Sequence, residues 1–368
     1  MDHTSDRPRR PPAAHAAGPD CAPGLALVGG ALRLAECANR APGAWRAALG
    51  ALLDWLAIEP RFVPAPHRRR LAGWPGAGHG KESDAPVFAP WTAWCPTAFQ
   101  NGGLPGLPKA DFVASYALAP TGPAPDSPCA LTDILLLSPH PMRLTAEQSH
   151  GDCLPQAGIM RAMIRAACTE GRTRIAILVH ARHRAAIGRL RLGEDLRLCP
   201  AGTTLEIRTL EEALPMMMAG AARWDAIIAM PDLRGMVFAV LAETAGVQGG
   251  WPMLWWTRKG VVRITAEALD DSASSAPLDA RLAVQALALA LREAGLDDAA
   301  RCLHGAWAQA PGCVAASTDA GSIARLTGEP APGQRFEPQW RALENKQMSV
   351  FGNRTPTLRI VPSNLASS

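Results

Sequence analysis

The chain contains very little lysine and carries almost no excess charge. Only four of its 368 residues are lysine, so arginine supplies nearly all of the positive charge, and 37 basic residues stand against 33 acidic ones. The formal net charge is +4. Dedicated nucleic-acid-binding proteins are usually far more basic. We therefore predict that no nucleic acid is a partner.

Long apolar segments are also lacking. The sequence has no uncharged apolar window of about 18 residues, the length needed to cross a bilayer. Residues 1–23 lack the continuous apolar core of a secretory signal and are rich in proline and arginine. This stretch predicts a disordered leader. Together these features predict no membrane association and a cytoplasmic location.

The cysteines lack any C-x-x-C pair, and their number is odd. Disulfide frameworks usually have an even count, and zinc ribbons need closely paired cysteines. The pattern therefore predicts scattered, reduced thiols, as is ordinary in cytoplasmic proteins. The nine cysteines stand at positions 21, 37, 95, 129, 153, 168, 199, 302 and 313.

Apolar runs of strand length alternate with segments of helical periodicity along most of the chain. The apolar runs 133–137, 174–179 and 224–229 are typical of buried strands. Such alternation predicts an α/β fold in which a mixed or parallel sheet is covered by helices. Residues 60–110 show no clear pattern. Further strands are predicted at 24–30, 110–117 and 205–208, and helices at 44–58, 158–169, 235–245, 282–294 and 297–307.

One segment goes beyond generic α/β patterning. Residues 223–243 are R-W-D-A-I-I-A-M-P-D-L-R-G-M-V-F-A-V-L-A-E. This run resembles a signature of the isocitrate and isopropylmalate dehydrogenase family, in which (F/W)-D-x-I-(I/V) is followed by N-L-x-G-D-I-x-S-D on the next helix. Upstream, 171–180 resembles the strand that leads to the family's V-H-K-x-N. Downstream, 277–300 and 318–321 resemble its late helix, its G-L-x-x-A-A segment and its terminal T-x-D-x-G stretch.

The resemblance covers roughly residues 130–325 and implies the two-domain fold of that family, with a central mixed sheet flanked by helices. It implies a first, nucleotide-side domain from 24–120 plus 247–330 and a second domain from 121–246. Residues 331–368, rich in proline and ending in serines, predict a tail appendage. The arm that interlocks two subunits in the family would be short or absent here.

Family members oxidise a hydroxyl beside a carboxylate with NAD or NADP and then decarboxylate with the help of a divalent metal. Two aspartates four residues apart on one helix face chelate the metal. Here those positions are Met236 and Val240, whose side chains offer no hard oxygen ligand to Mg²⁺. The substrate-contacting serine becomes Ala239, and the preceding asparagine becomes Asp232. The resemblance therefore predicts no metal site.

The catalytic lysine of V-H-K-x-N falls on Ala181. His180 and His183 flank this position, and an imidazole can take up and release protons near neutral pH. We keep both histidines as candidate catalytic residues. The alternative interpretation is a solvated basic turn after a strand, since several arginines follow at 182, 184, 189 and 191.

The family's adenine-binding loop, H-G-S-A-P-D, should lie before Pro277, where residues 263–271 instead carry R-I-T-A-E-A-L-D-D. We therefore expect no cofactor, and the cofactor-binding residues stay unknown.

Two functions remain open. The first is a catalytically impaired family member that acts as a binding or regulatory subunit, with a protein partner or as a homodimer. The second is an NAD(P)-dependent oxidoreductase that acts on the CH–OH group of a 2-hydroxy acid at an altered site, with NAD(P) and Mg²⁺ or Mn²⁺ as cofactors.

Overall fold

A computed structural model of the chain gives an α/β fold built on one large mixed sheet with helices on both faces. The predicted leader at 1–23 and the predicted strand at 24–30 lie outside the described residues, as does the segment 318–321. The structure describes residues 31–35, 43–63, 86–99, 107–121, 130–146, 153–190, 192, 199, 201–219, 223–244, 249–269, 278–309 and 340–343.

Ten strands form the large sheet and two form a small one. The strands are β1 (Ala31–Ala35), β2 (Glu59–Val63), β3 (Val87–Trp94), β4 (Phe112–Thr121), β5 (Ala130–Pro139), β6 (Leu144–Ala146), β7 (Cys153–Pro155), β8 (Arg174–Val179), β9 (Thr204–Thr209), β10 (Ala226–Ala229), β11 (Trp251–Thr257) and β12 (Gly260–Glu267). The large sheet has the order β2-β1-β3-β12-β11-β4-β5-β10-β8-β9, and β6 pairs with β7. The small pair occupies the place where the family's arm was expected to be short or absent.

Capping residues and glycines fix several helix ends. Thr209 and Glu212 form a reciprocal capping box at the start of the helix Leu210–Met218, and the Asp279 side chain accepts from the Leu282 N–H at the start of the helix Ala280–Glu293. Gly171 and Gly295, at φ 68° and 79°, lie just beyond the ends of the helices Ala157–Thr169 and Ala280–Glu293, where the left-handed conformation favours glycine. The helices are α1 (Gly43–Trp55), α2 (Ala157–Thr169), α3 (Arg184–Arg189), α4 (Leu210–Met218), α5 (Pro231–Thr244), α6 (Ala280–Glu293) and α7 (Asp297–Gln309).

The prediction of an α/β fold with a central mixed sheet flanked by helices is confirmed, and most predicted elements lie where the sequence places them. Strand β8 has the predicted bounds. Helix α5 begins earlier than predicted, at Pro231, because proline is well tolerated in the first turn of a helix.

Within 60–110 the structure places most of β2, all of β3 and a 3₁₀ turn at Pro96–Phe99. The sequence pattern of β3 is obscured by Pro90 and by a register shift against β12.

Strands β4 and β5 lie at the centre of the large sheet. They pair antiparallel over ten residue pairs, from Phe112 opposite Pro139 to Thr121 opposite Ala130. On one side of this ladder, β5, β10, β8 and β9 are all parallel. The other side holds strands from the parts of the chain assigned to the first domain. One sheet thus runs through both predicted domains, and their division at 24–120 plus 247–330 and 121–246 stays a prediction.

Helix α6 is buried on all sides and covers the sheet next to β11, β12 and β3. Its residues from Ala280 to Arg292 are all buried. The polar members of this helix have partners: Arg281 donates to the Gly250 carbonyl at 3.1 Å, and Gln285 donates to the Leu118 carbonyl at 3.3 Å. This pairing makes their burial tolerable, because a buried polar group without a partner is destabilising.

The prediction that the cysteines are scattered thiols is wrong at one pair. Cys168, in the last turn of α2, forms a disulfide with Cys199 on the connection between α3 and β9. The sequence separation of 31 residues hides the pairing, since only the fold brings the two Cα atoms to 5.0 Å. Of the other described cysteines, Cys95 and Cys302 are half-buried and form no disulfide.

Part of the predicted tail is packed into the body of the protein. Trp340 is 3% exposed, with its ring 4.8 Å from that of His304 on α7. The backbone of the following 3₁₀ turn, Arg341–Leu343, is held by side chains: Asp133 accepts from the Arg341 N–H at 3.1 Å, and Arg292 donates to the Ala342 carbonyl at 2.7 Å. The rest of 331–368 lies outside the described residues.

The docked turn covers a buried ionic network around Glu170. The Glu170 carboxylate accepts from the Tyr116 hydroxyl at 2.8 Å and from Arg292 at 2.7 Å, and Arg172 lies 3.6 Å from its other oxygen. Arg172 also pairs with Asp133 at 2.7 Å. Burial raises the pKa of Tyr116 above its ordinary value, so this hydroxyl keeps its proton and donates to Glu170.

Among the helices that the structure describes, none is long and apolar enough to cross a membrane.

We expect His304 to make stability depend on pH. Burial lowers the pKa of His304 from 6.5 to about 4. The unfolded chain therefore binds a proton near pH 6.5 that the folded chain binds only near pH 4, and stability falls as the pH drops through this window. The loss should approach about 3 kcal/mol at the lower end.

Urea unfolding between pH 4 and pH 7.5 would measure this effect. His304→Gln should reduce the slope, because glutamine does not titrate. Part of the slope should remain, since burial also lowers the pKa of His140. Met218→Gln, which changes a 70% exposed side chain that does not titrate, serves as the control and should keep the slope. Equal slopes in the wild-type protein and in His304→Gln would contradict the prediction.

Candidate functional site

The candidate site lies at the edge of the sheet where the parallel strands β5, β8 and β10 end. Register pairs such as Leu137 with Ile228 and Ile228 with Ile177 bring the carboxyl ends of these strands to one level. The Ser138 hydroxyl donates to the Ala229 carbonyl at 2.5 Å and joins the ends of β5 and β10. In α/β sheets, ligands commonly bind outside the carboxyl ends of the strands.

His180 follows β8 directly, and Asp232 lies in the first turn of α5 after β10. The Nε2 atom of His180 and the Oδ2 atom of Asp232 are 2.7 Å apart, and the two side chains are 36% and 41% exposed. Because an ionised carboxylate only accepts hydrogen bonds, this contact places the proton on Nε2. The other ring nitrogen is then the one that can accept a proton.

His183, the second predicted candidate, lies deeper. It is 4% exposed, and its ring lies 5.9 Å from that of His180 at an interplanar angle of 78°. The structure therefore brings the two predicted histidines together, but only His180 is accessible to a ligand. The interpretation of this segment as a solvated basic turn is consistent with the exposure of Ala181 and Arg182 between them.

Charges of both signs surround His180. Arg184 pairs with Glu212 at 2.6 Å on the surface. Hydrogen bonds from its own backbone and from Thr209 hold the pKa of Glu211 below its ordinary value, and the nearby His180 adds a smaller effect in the same direction. The described surroundings of His180 therefore carry both acidic and basic side chains.

The residues at the family's metal positions do not fit a divalent metal ion. Met236 is 51% exposed on α5, and Val240, one turn later, is half-buried against the main core. A thioether and an isopropyl group cannot replace two carboxylates as ligands of Mg²⁺. Among the described residues, no group of three or more histidines, cysteines, aspartates or glutamates could hold a metal ion.

A buried ionic cluster below the site was not predicted from the sequence. The Arg234 guanidinium donates to both carboxylate oxygens of Glu267 at 2.6 Å, and it donates to the Ser115 hydroxyl at 2.8 Å. Ser115 in turn donates to Glu267 at 2.5 Å. All three residues are completely buried, and the guanidinium lies 5.3 Å from the centre of the Phe99 ring. The cluster fixes the start of α5, and with it Asp232, to β4 and β12.

Two signals in the sequence could have indicated this cluster. Arg234 lies between Leu233 and the apolar run 236–242 of α5, and Glu267 is the last residue of β12. Charged side chains in buried elements usually pair with each other. The sequence does not say which pairs form, because Arg234, Glu267 and Ser115 come from distant parts of the chain. The role of Asp232 as the partner of His180 was missed for the same reason.

We expect Glu267→Gln to lower the free energy of unfolding by about 3–5 kcal/mol, because Arg234 would stay buried without its counter-charge. Urea unfolding would measure the change. Glu243→Gln, at an exposed position on α5, the helix that carries Arg234, is the matched control and should change stability by less than about 0.5 kcal/mol.

The double variant Arg234→Met/Glu267→Gln should lose less stability than the sum of the losses in the two single variants. If Glu267→Gln lowered the free energy of unfolding by less than about 1 kcal/mol, the ion pair would not be essential at this position.

No protein-family model matches the chain, and no curated protein matches it. Solved structures are similar to it, and two of them share 13% sequence identity with it. An isocitrate dehydrogenase from Methylococcus capsulatus has a TM-score of 0.49, with 82% of this chain and 99% of that chain covered. The TT0538 protein from Thermus thermophilus has a TM-score of 0.51, with 86% of this chain and 72% of that chain covered. At this identity, the likeness to the Thermus thermophilus protein shows a common α/β fold and nothing finer.

Proposed function

We propose that the chain is a divergent relative of the isocitrate and isopropylmalate dehydrogenases that is catalytically impaired and acts as a binding or regulatory subunit. The observation that carries this proposal is the identity of the residues at three positions where the resembled family has catalytic groups. The two positions where the family places metal-chelating aspartates hold Met236 and Val240, and the position of the catalytic lysine holds Ala181. Without these groups, the family's metal-assisted oxidation and decarboxylation has no machinery.

The surface supports a role in binding. Met236 exposes half of its side chain on the helix where the family holds its metal, and Met142 and Met218 are 72% and 70% exposed. Methionine is flexible and polarizable, and exposed methionines are common on surfaces that bind other proteins. We infer that the ligand is a protein partner or a second copy of the chain. The proposed role needs no NAD(P), Mg²⁺ or Mn²⁺.

A thermal-shift titration tests the proposal. The purified chain would be titrated with NAD, NADP, Mg²⁺ and Mn²⁺, alone and together with isocitrate or 3-isopropylmalate. We expect no shift, whereas a ligand at a hundredfold its Kd would add about 2.7 kcal/mol of stability. A clear shift with a dinucleotide would contradict the proposal and favour the second candidate function.

The second candidate is an NAD(P)-dependent oxidoreductase that acts on the CH–OH group of a 2-hydroxy acid at an altered site. The contact between His180 and Asp232 favours it. A carboxylate that fixes the ring of a histidine gives a base that can take the proton of a substrate hydroxyl. NAD(P) would accept the hydride when bound. His180 would hold the proton, and Asp232 would orient the ring and stabilise its charged form.

If this second function holds, His180→Asn should lower the turnover of 2-hydroxy acids with NAD or NADP by about 10²- to 10⁴-fold, the usual contribution of a general base. Asp232→Asn should lower it less, because the base would remain and only the carboxylate that orients its ring would be lost. Glu243→Gln, also exposed on α5, is the control and should leave turnover unchanged. Equal turnover in His180→Asn and in the wild-type protein would remove His180 from the mechanism.

A further inference from the structure

Three segments of the chain meet at one end of the large sheet. The start of β4, the end of β5 and the turn between β11 and β12 lie side by side there, because Phe112 pairs with Pro139 on one side and with Trp256 on the other. Each segment carries exposed cationic side chains. We call this end of the sheet the basic tip, and its charged residues are Lys109, Asp111, Arg143, Arg258 and Lys259.

The basic tip holds much positive charge for a chain that is nearly neutral. Four exposed cations surround one buried carboxylate, although the formal net charge of the whole chain is only +4. Two of the four lysines in the sequence, Lys109 and Lys259, lie here. Arg143 pairs with Asp111, whereas Lys109, Arg258 and Lys259 pair with no acidic side chain among the residues that the structure describes. The described part of the tip therefore presents unbalanced positive charge to a ligand.

Asp111 fixes the three segments relative to one another. Its carboxylate accepts from the Arg143 side chain at 2.8 Å and from the Arg258 N–H at 2.9 Å. Its carbonyl accepts from the His140 N–H at 3.0 Å, and its own N–H donates to the Trp256 carbonyl at 2.7 Å. The cations therefore stand on backbone that is already positioned, so a ligand would have less of the chain to order on binding.

An exposed apolar side chain stands next to these charges. Met142 is 72% exposed and precedes Arg143 on the 3₁₀ turn Pro141–Arg143. The Met142 N–H donates to Nδ1 of the buried His140 at 3.2 Å, which holds this turn against the end of β5. Methionine is flexible and fits apolar groups of varied shape. The tip thus combines several cations with one apolar contact point.

We propose that the basic tip is a docking surface for an acidic segment of a protein partner, whose carboxylates pair with the cations and whose apolar side chain contacts Met142. The inference rests on the proposed function, because it names the chemistry of the partner that a binding subunit would take. The tip already pairs one carboxylate, that of Asp111, with the Arg143 guanidinium. Guanidinium groups match the geometry of carboxylates well.

The position of the tip gives such a partner access to the candidate site. Strand β5 ends at the tip, and β10 and β8 come next in the sheet. His180 follows β8, and its partner Asp232 follows β10. A segment docked on the tip would therefore lie beside this pair.

Other polyanions fit the tip less well. Single-stranded nucleic acids bind through aromatic side chains on which bases stack, whereas Trp255 and Trp256, at the end of β11, are buried. Binding in a membrane interface usually needs an amphipathic helix with a broad apolar face. The described residues of the tip instead form turns, with Met142 as their exposed apolar side chain. An acidic segment needs no more than this.

The test measures binding of the full chain to short fluorescein-labelled peptides by fluorescence anisotropy. The acidic peptide consists of glutamates with leucine at its centre, and the neutral peptide has glutamine in place of every glutamate. At about 50 mM salt, where charges are weakly screened, we expect the acidic peptide to bind with a Kd below about 1 mM. The neutral peptide should bind at least about tenfold more weakly, and added salt should weaken binding of the acidic peptide.

Charge reversal locates the binding surface. Lys109→Glu/Arg258→Glu/Lys259→Glu keeps the pair of Asp111 and Arg143 and should weaken binding of the acidic peptide by about tenfold or more. The matched control changes the net charge equally at exposed positions outside the tip and should weaken binding by less than about threefold. This control is Arg46→Glu/Arg189→Glu/Arg223→Glu.

A second variant keeps the charges and removes the apolar contact. Met142→Ala should weaken binding of the acidic peptide by about threefold or more, because less apolar surface is buried against its leucine. A peptide with alanine in place of that leucine should bind both proteins equally.

Several outcomes would overturn the proposal. They are equal binding of the acidic and neutral peptides, no binding of the acidic peptide, and equal weakening by the two triple variants. Tighter binding of a thymidine oligonucleotide or of phosphatidylserine vesicles, lost in the tip variant, would assign the tip to another polyanion. A dimer seen in sedimentation and lost in the tip variant would make a second copy the occupant.

These results are separate from the test of the proposed function. A thermal shift with a dinucleotide would contradict the proposed function whatever the peptides do. Failure of the acidic peptide to bind, with no such shift, would contradict only the assignment of the basic tip.

Discussion

The structure depends on the placement of β4 beside β5 in the centre of the sheet. The antiparallel ladder of these two strands joins strands from both parts of the chain that were assigned to separate domains. Because side chains alternate along a strand, neighbouring residues of β4 point to opposite faces of the sheet. Ser115 meets Arg234 and Glu267 under α5, whereas Tyr116 meets Glu170 and Arg292 near α2 and α6. One strand therefore supports two buried ionic clusters.

Each cluster fixes an element whose position affects the surface. The pair of Arg234 and Glu267 holds the first turn of α5, where Asp232 reaches His180. Arg292, a member of the cluster around Glu170, also donates to the Ala342 carbonyl and so ties the Arg341–Leu343 turn to the cluster. Buried charges with this many hydrogen bonds contribute less to net stability than an apolar core does. Their main effect here is to give each element one position, since any displacement would leave a charge unpaired.

Much of the fold could be predicted because burial imposes local periodicity. The apolar runs at 133–137 and 174–179 and the helical spacing of 282–294 follow from their burial against a sheet. Strand β3 could not be predicted, because Pro90 and a register shift break the alternation. In the candidate site, His180 was chosen as a candidate because it flanks Ala181, the position of the resembled family's lysine, and because an imidazole can carry a proton. Its partner Asp232 was not, since the two residues are 52 positions apart and no local pattern links them.

The alternation of strands and helices follows from the linear sequence, and so does the presence of Met236, Val240 and Ala181 at the metal and lysine positions of the resembled family. These properties are local or compositional, so they are visible along the chain. The fold, in contrast, selects which distant residues meet: Cys168 with Cys199, Arg234 with Glu267, and Trp340 with His304. Such contacts depend on the order of the strands in the sheet and on the path of the connections, and neither leaves a periodic signal in the chain.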